Sequence, residues 1–114
     1  MNIKIVEDKI KLDELKEIAK EFYTSMIKGV VDIEKEVIAF GGEYHIDAKK
    51  ILLKKGSEDK DIWGFSIYFD RSRDSFLEYK SQINVQPTDD NNGLEVQNEN
   101  IRAKMKRIID SKIV

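Results

Sequence analysis

A chain of 114 residues with 40% apolar positions, five Phe, four Tyr and one Trp is sized for one hydrophobic core spanning 1–114, and is too apolar for a disordered segment. The absence of cysteine excludes disulfides, Cys-ligated zinc, iron–sulfur clusters and thiol nucleophiles. The formal net charge is −2, although 48–56 carries four lysines and no acid; a dedicated reader of the nucleic-acid backbone needs a much larger basic excess.

The first residues are too quickly charged for a signal peptide. No run approaches the roughly 18 apolar residues of a membrane span, so the sequence predicts a cytoplasmic protein without a membrane partner. Ile3 and Ile5 alternate with polar neighbours and predict a short edge strand. Leu12, Leu15, Ile18, Ala19, Phe22 and Met26 recur at spacings of three and four, predicting an amphipathic helix that stops at Gly29. Val30 to Phe40 reads as a hairpin turning near Lys35-Glu36, with Val31 and Ile33 sharing a face with Ile38 and Phe40. If its second strand bends at Gly41-Gly42 and continues to Asp47, then Glu43, His45 and Asp47 share the opposite face.

Asp47 as N-cap and Gly56 as terminator then bracket a short helix over 48–55. Strands over 61–69 and 75–85 make a second hairpin, with Leu77, Tyr79, Ile83 and Val85 inward and Glu78, Lys80, Gln82 and Asn84 outward. Pro87 ends that strand, Thr88 to Gly93 forms a turn-rich loop, and Ile101, Met105, Ile108 and Ile109 mark one face of a last helix from Asn98 to Lys112. The predicted fold class is α+β: a single domain with a mainly antiparallel sheet, and an N-terminal, a short middle and a C-terminal helix packed mostly on one face. The other face is expected to be polar.

That polar face gathers the candidate chemistry. Asp32, Glu34, Glu43, His45 and Asp47 are placed on it, with Glu78, Lys80, Gln82 and Asn84 on a strand nearby. Carboxylates and an imidazole supply metal ligands and exchangeable protons, so Glu43, His45 and Asp47, helped by Asp32 or Glu34, are the residues for metal-assisted or acid–base hydrolysis. His45 is the only histidine, which excludes a multi-histidine metal centre within one chain, and no cofactor is indicated. A solvated outer face accounts for the same pattern, as does a cap role for Asp47. Thr88 to Glu99 matches a calcium-binding loop only in part, lacking its first Asp and a preceding helix. Lys49, Lys50, Lys54 and Lys55, with Arg102, Lys104, Lys106 and Arg107, offer at most weak contact to nucleic acid, because no phosphate loop or nucleic-acid motif accompanies them. No serine sits in a nucleophile elbow.

Val31 to Lys35, Glu43 to Asp47, Leu52-Leu53 with Gly56-Ser57, Asp61 to Gly64 and Ile83 to Pro87 together resemble a small prokaryotic family known only as a domain of unknown function. The resemblance runs from the first helix to the last. Gln86 replaces a residue that is usually basic in that family, and Asp90-Asn91 replaces a Gly-Asn pair. The resemblance implies a compact cytosolic prokaryotic domain, with Glu43, His45, Asp47, Asn84 and Asn91 as site positions, and it carries no activity. A non-catalytic binding or protein-interaction domain is therefore the leading expectation, its exposed sheet edges pairing with a second copy or with another protein. A hydrolytic enzyme using the polar face is the alternative, and a weak nucleic-acid binder the next.

Overall fold

The computed structural model describes residues 1–114. Strands β1 (Lys4–Val6), β2 (Met26–Asp32), β3 (Val37–Phe40), β4 (Ile62–Tyr68) and β5 (Leu77–Glu78) form one antiparallel sheet in the order β1-β3-β2-β4-β5. Three helices accompany it: α1 (Leu12–Ala19), α2 (His45–Lys54) and α3 (Glu99–Lys112). β2 is the central strand, paired with β4 along its whole length and with β3 through the hairpin register Val31–Ile38.

Period-two alternation sorts the strands onto two faces. Ile27 and Val31 of β2, Ile38 and Phe40 of β3, and Trp63, Phe65 and Ile67 of β4 meet Leu15, Ile18 and Ala19 of α1 and Met105, Ile108 and Ile109 of α3 in the main core. Phe40 and Phe65 pack edge to face there, with ring centroids 5.7 Å apart. α3 is started by Asn98, whose side chain accepts hydrogen bonds from the Asn100 and Ile101 amides. The hairpin, its shared face and the C-terminal helix thus follow the sequence pattern. On the opposite face Val30, Ala39 and Ile62 pack against Ala48 and Leu52 of α2 in a smaller core. Two helices lie on one face and the third on the other, so the second face is apolar over half its extent rather than polar throughout.

The N-terminal helix is shorter than its periodicity suggests. α1 ends at Ala19, Phe22 is 38% exposed, and Met26 already belongs to β2. The Phe22–Met26 spacing continues a helical stripe by coincidence, and pairing on both sides of β2 outweighs it. Gly29 is a strand residue whose missing side chain leaves room for the Phe65 ring; a Cβ there would lie 2.5 Å from the ring tip.

The predicted strand from Glu43 to Asp47 does not form. Gly41 and Gly42 adopt positive φ values of 117° and 91°, which turns the chain off the sheet and starts α2 at His45. Asp47 lies in the first turn of α2, and its carboxylate accepts the Glu43 and Tyr44 amides, so it caps the helix from inside rather than from the N-cap position. The stop at Gly56 is as predicted.

The long second strand of the C-terminal hairpin is also absent, since only Leu77–Glu78 pair with β4. Asn84, expected to face solvent, is fully buried and takes the place of a neighbouring strand. Its Oδ1 accepts the Gly64 amide at 2.7 Å and its Nδ2 donates to the Gly64 carbonyl at 3.0 Å. Asn91 folds the following loop around itself, donating to the carbonyls of Asn84, Gly93 and Glu95 and accepting the Gln97 amide. Gln86 donates to the Ile62 carbonyl at 2.9 Å. Side-chain amides supply the ladder bonds that backbone would otherwise make, because each carries a donor and an acceptor like a peptide group.

This seam needs the chain to pass close over Gly64, where a Cβ would lie 2.6 Å from Ser81 Cβ and 3.0 Å from the Ile83 side chain. Gly64→Ala is expected to lower unfolding free energy by about 2 kcal/mol through overpacking. Gly93→Ala meets only the tip of the Gln97 side chain and should cost less than about 0.5 kcal/mol. Urea denaturation of both variants checks the difference.

Candidate functional site

The carboxylates singled out by the sequence do not converge on His45. Asp47 is engaged as the helix cap, and Glu43 is exposed, with its backbone carbonyl accepting the Tyr23 hydroxyl. Asp32 lies four residues along β2 from Lys28, about 13 Å away at the usual strand rise, and folds the β2–β3 turn by accepting the Glu34 and Lys35 amides on Oδ1. Glu34 is exposed and sits 3.8 Å from Lys104. Asn84 and Asn91 are saturated by the backbone bonds described above. No three His, Asp or Glu side chains come together as metal ligands. A polar cluster on the sheet face requires β3 to extend through Gly41-Gly42, and because the chain turns into α2 there the cluster disperses.

His45 does hold a distinctive position, at the first turn of α2 above the sheet. The side chain is buried, with only 9% of the residue exposed, and its Nε2 lies 2.7 Å from the Phe65 carbonyl of β4. A carbonyl only accepts, so Nε2 carries the proton and donates. Burial, reinforced by the nearby Lys28 ammonium, lowers the imidazole pKa to about 4, although the Phe65 bond opposes the shift. The ring is therefore neutral at neutral pH, and Nδ1 is an unprotonated acceptor with no partner in the protein.

His45 edges a cleft of about 420 Å³ formed where α2 stops covering the second sheet face. Its floor is built from adjacent strands: Lys28 of β2 is registered beside Ser66 of β4, which is registered beside Glu78 of β5. Met26, Tyr44, Ile46 and Ile83 supply apolar walls, and Lys80 and Gln82 close the far side. Tyr44 and Ile46 are 58% and 40% exposed, so the rim stays open to solvent. The Lys28 ammonium lies 5.2 Å from the Tyr23 ring centre and 5.3 Å from that of Tyr44. Tyr68 donates to Glu78 at 3.2 Å, and burial together with that carboxylate raises the phenol pKa, keeping it a donor.

The structure thus brings His45, Glu78, Lys80 and Gln82 together as the sequence pattern suggested, but around a different geometry. Lys28, Tyr44, Ser66 and Tyr68 were missed. Lys28 fell inside a predicted helix terminus; the run Ile27, Val30, Val31, rich in β-branched residues, was the available signal for a strand there. The basic helix residues are largely paired: Arg102 with Glu95, Lys104 with Glu34, Lys106 with Asp110, Arg107 with Glu36, and Lys49 with Asp59. No helix is long and apolar enough to cross a membrane.

A five-stranded antiparallel sheet with helices on both faces and a cleft at the open end of one face defines a small α+β domain. The chain belongs to a family of proteins of unknown function, DUF5674, whose model matches residues 4–112. No curated protein and no solved structure matches it.

A lowered histidine pKa makes stability depend on pH with a definite sign. The unfolded chain takes up the proton near pH 6.5 and the folded one near 4, so stability is complete above about 6.5 and falls by about 3 kcal/mol as pH drops to 4. As the only histidine, His45 gives unambiguous ring signals in NMR; its midpoint is expected near 4, and His45→Gln should remove this part of the acid destabilisation in urea titrations at pH 7 and 4.5.

Proposed function

We propose that the protein is a non-catalytic binding domain whose recognition surface is the cleft between α2, β4 and β5. The observation that carries this reading is the cleft itself: a partly apolar depression of about 420 Å³ whose floor side chains come from three adjacent, mutually hydrogen-bonded strands. Side chains on strands are held in place by the ladder, which lowers the ordering cost of binding. Small-molecule sites are concave and combine apolar walls with a few placed polar groups; this cleft is concave and is richer than most in polar groups.

The hydrolytic alternative draws no support from the same residues. A general base near neutral pH needs a matched pKa and a reachable proton, whereas His45 has one nitrogen committed to Phe65 and a pKa near 4. Other depressions are less promising. The one beside the far end of α2 is lined by Lys35 and Glu36, which already serve the Gly56 carbonyl and Arg107. The sheet edges β1 and β5 are three and two residues long, which leaves little backbone for pairing with another chain. The short edges therefore favour the cleft over edge pairing as the recognition surface.

A thermal-shift screen of a metabolite collection, followed by amide-shift mapping of the hits, tests the reading. Hits should raise Tm by about 5 °C at ten times their Kd, perturb the amides of Lys28, His45 and Ser66, and be recovered unchanged. Hits that map elsewhere, an absence of hits in the cleft, or chemical conversion of a bound compound would contradict it.

A further inference from the structure

The charges in the cleft are unevenly satisfied. Nine of the basic side chains elsewhere, from Lys4 to Arg107, reach a carboxylate, and Lys9, Lys35 and Lys112 reach a backbone carbonyl. Lys28 and Lys80, both lining the cleft, reach neither; cations such as Lys50 and Lys54 also lack such a partner, but they and Lys80 are exposed, whereas Lys28 is not. Lys28 is half-buried, and the Tyr23 and Tyr44 rings on either side of its ammonium restrict where the charge can go. A partly desolvated cation without a counter-ion is a cost that a bound anion removes.

A second polar group lining the cleft without a partner is of the complementary kind. His45 is nine-tenths buried and lines the same cleft, and its Nδ1 is a lone-pair acceptor. That nitrogen repels an oxyanion but accepts from a hydroxyl or N–H. The Ser66 hydroxyl lies on the floor between Lys28 and Glu78 and is able to donate or accept. Glu78 is the single carboxylate of the lining and is set against the far wall, where it accepts the Tyr68 hydroxyl.

Resting on the reading of this cleft as the recognition surface, we propose that its ligand is a small organic oxyanion with a hydrogen-bond donor beside the charge, the oxyanion on Lys28 and the donor on His45 Nδ1. Carboxylate and phosphate share this chemistry. Hydroxy acids and singly protonated phosphate esters both combine the anion and the donor. Lys80, exposed on the far side, adds charge without fixing geometry.

Amide-detected NMR titrations of the wild type with glycolate, methyl phosphate and the neutral glycolamide decide the matter. Glycolate or methyl phosphate should perturb the cleft amides of His45, Ile46 and Ser66 and bind about tenfold more tightly than glycolamide, as one charge-assisted hydrogen bond requires. Lys28→Gln should abolish that preference while leaving the rest of the spectrum in place, and Lys80→Gln should reduce it less. If glycolamide binds the cleft as well as both anions, or if Lys28→Gln leaves the anion affinity unchanged, the oxyanion assignment is overturned and the cleft remains a binding surface. If no probe perturbs the cleft amides, the assignment and the cleft reading fail together.

Discussion

The hydrogen bond from His45 Nε2 to the Phe65 carbonyl ties the first turn of α2 to the centre of β4, and the layout of the second sheet face follows from it. With that end anchored, Ala48 and Leu52 fall over Val30, Ala39 and Ile62, and the helix covers only the half of the face nearest the β2–β3 turn. The remaining half, bearing Met26, Lys28, Ser66 and Tyr68, becomes the cleft. One buried imidazole therefore serves as a structural peg and as part of the cleft wall. The same burial that makes it a good peg makes it a poor proton carrier, since desolvation holds it in the neutral form.

Side-chain amides do comparable work on the other edge of β4. Asn84 presents a donor and an acceptor to Gly64 as a strand would, and Asn91 presents the same pair of groups to the loop that follows. This arrangement lets the chain leave the sheet after Glu78 without stranding buried backbone groups, which would each cost on the order of 1–3 kcal/mol. It also holds Ser81, Gln82 and Ile83 along the cleft. Asn84 and Asn91 are thus explained by the fold, and the binding surface depends on them indirectly through the loop they organise.

Much of this was legible in the sequence where the periodicity was unambiguous. The C-terminal helix, the β2–β3 hairpin face shared by Val31 and Ile38, the β4 run around Trp63 and the stop at Gly56 all follow local rules that tertiary contacts reinforce. Phe22 and Met26 misled because two residues at helical spacing say nothing about the turn between them. Glu43 to Asp47 misled because alternation over five residues does not distinguish a strand from a helix entrance, and the decision rests with the positive φ of Gly41 and Gly42. Asn84 was unreadable as a buried residue, since an isolated polar side chain at an outward strand position looks solvated until its partners, twenty residues away in Gly64, are brought to it. The cleft needed two such distant events at once, the docking of α2 and the folding back of the loop after β5.

The ring protonation of His45 is the most direct test of this account. Nitrogen-15 NMR of the imidazole at neutral pH should show a neutral ring with the proton on Nε2, a coupling from that nitrogen to the Phe65 carbonyl, and an unprotonated Nδ1. A proton on Nδ1, or a doubly protonated imidazolium at pH 7, would mean that the Phe65 bond does not hold α2 in place and that the cleft is built differently.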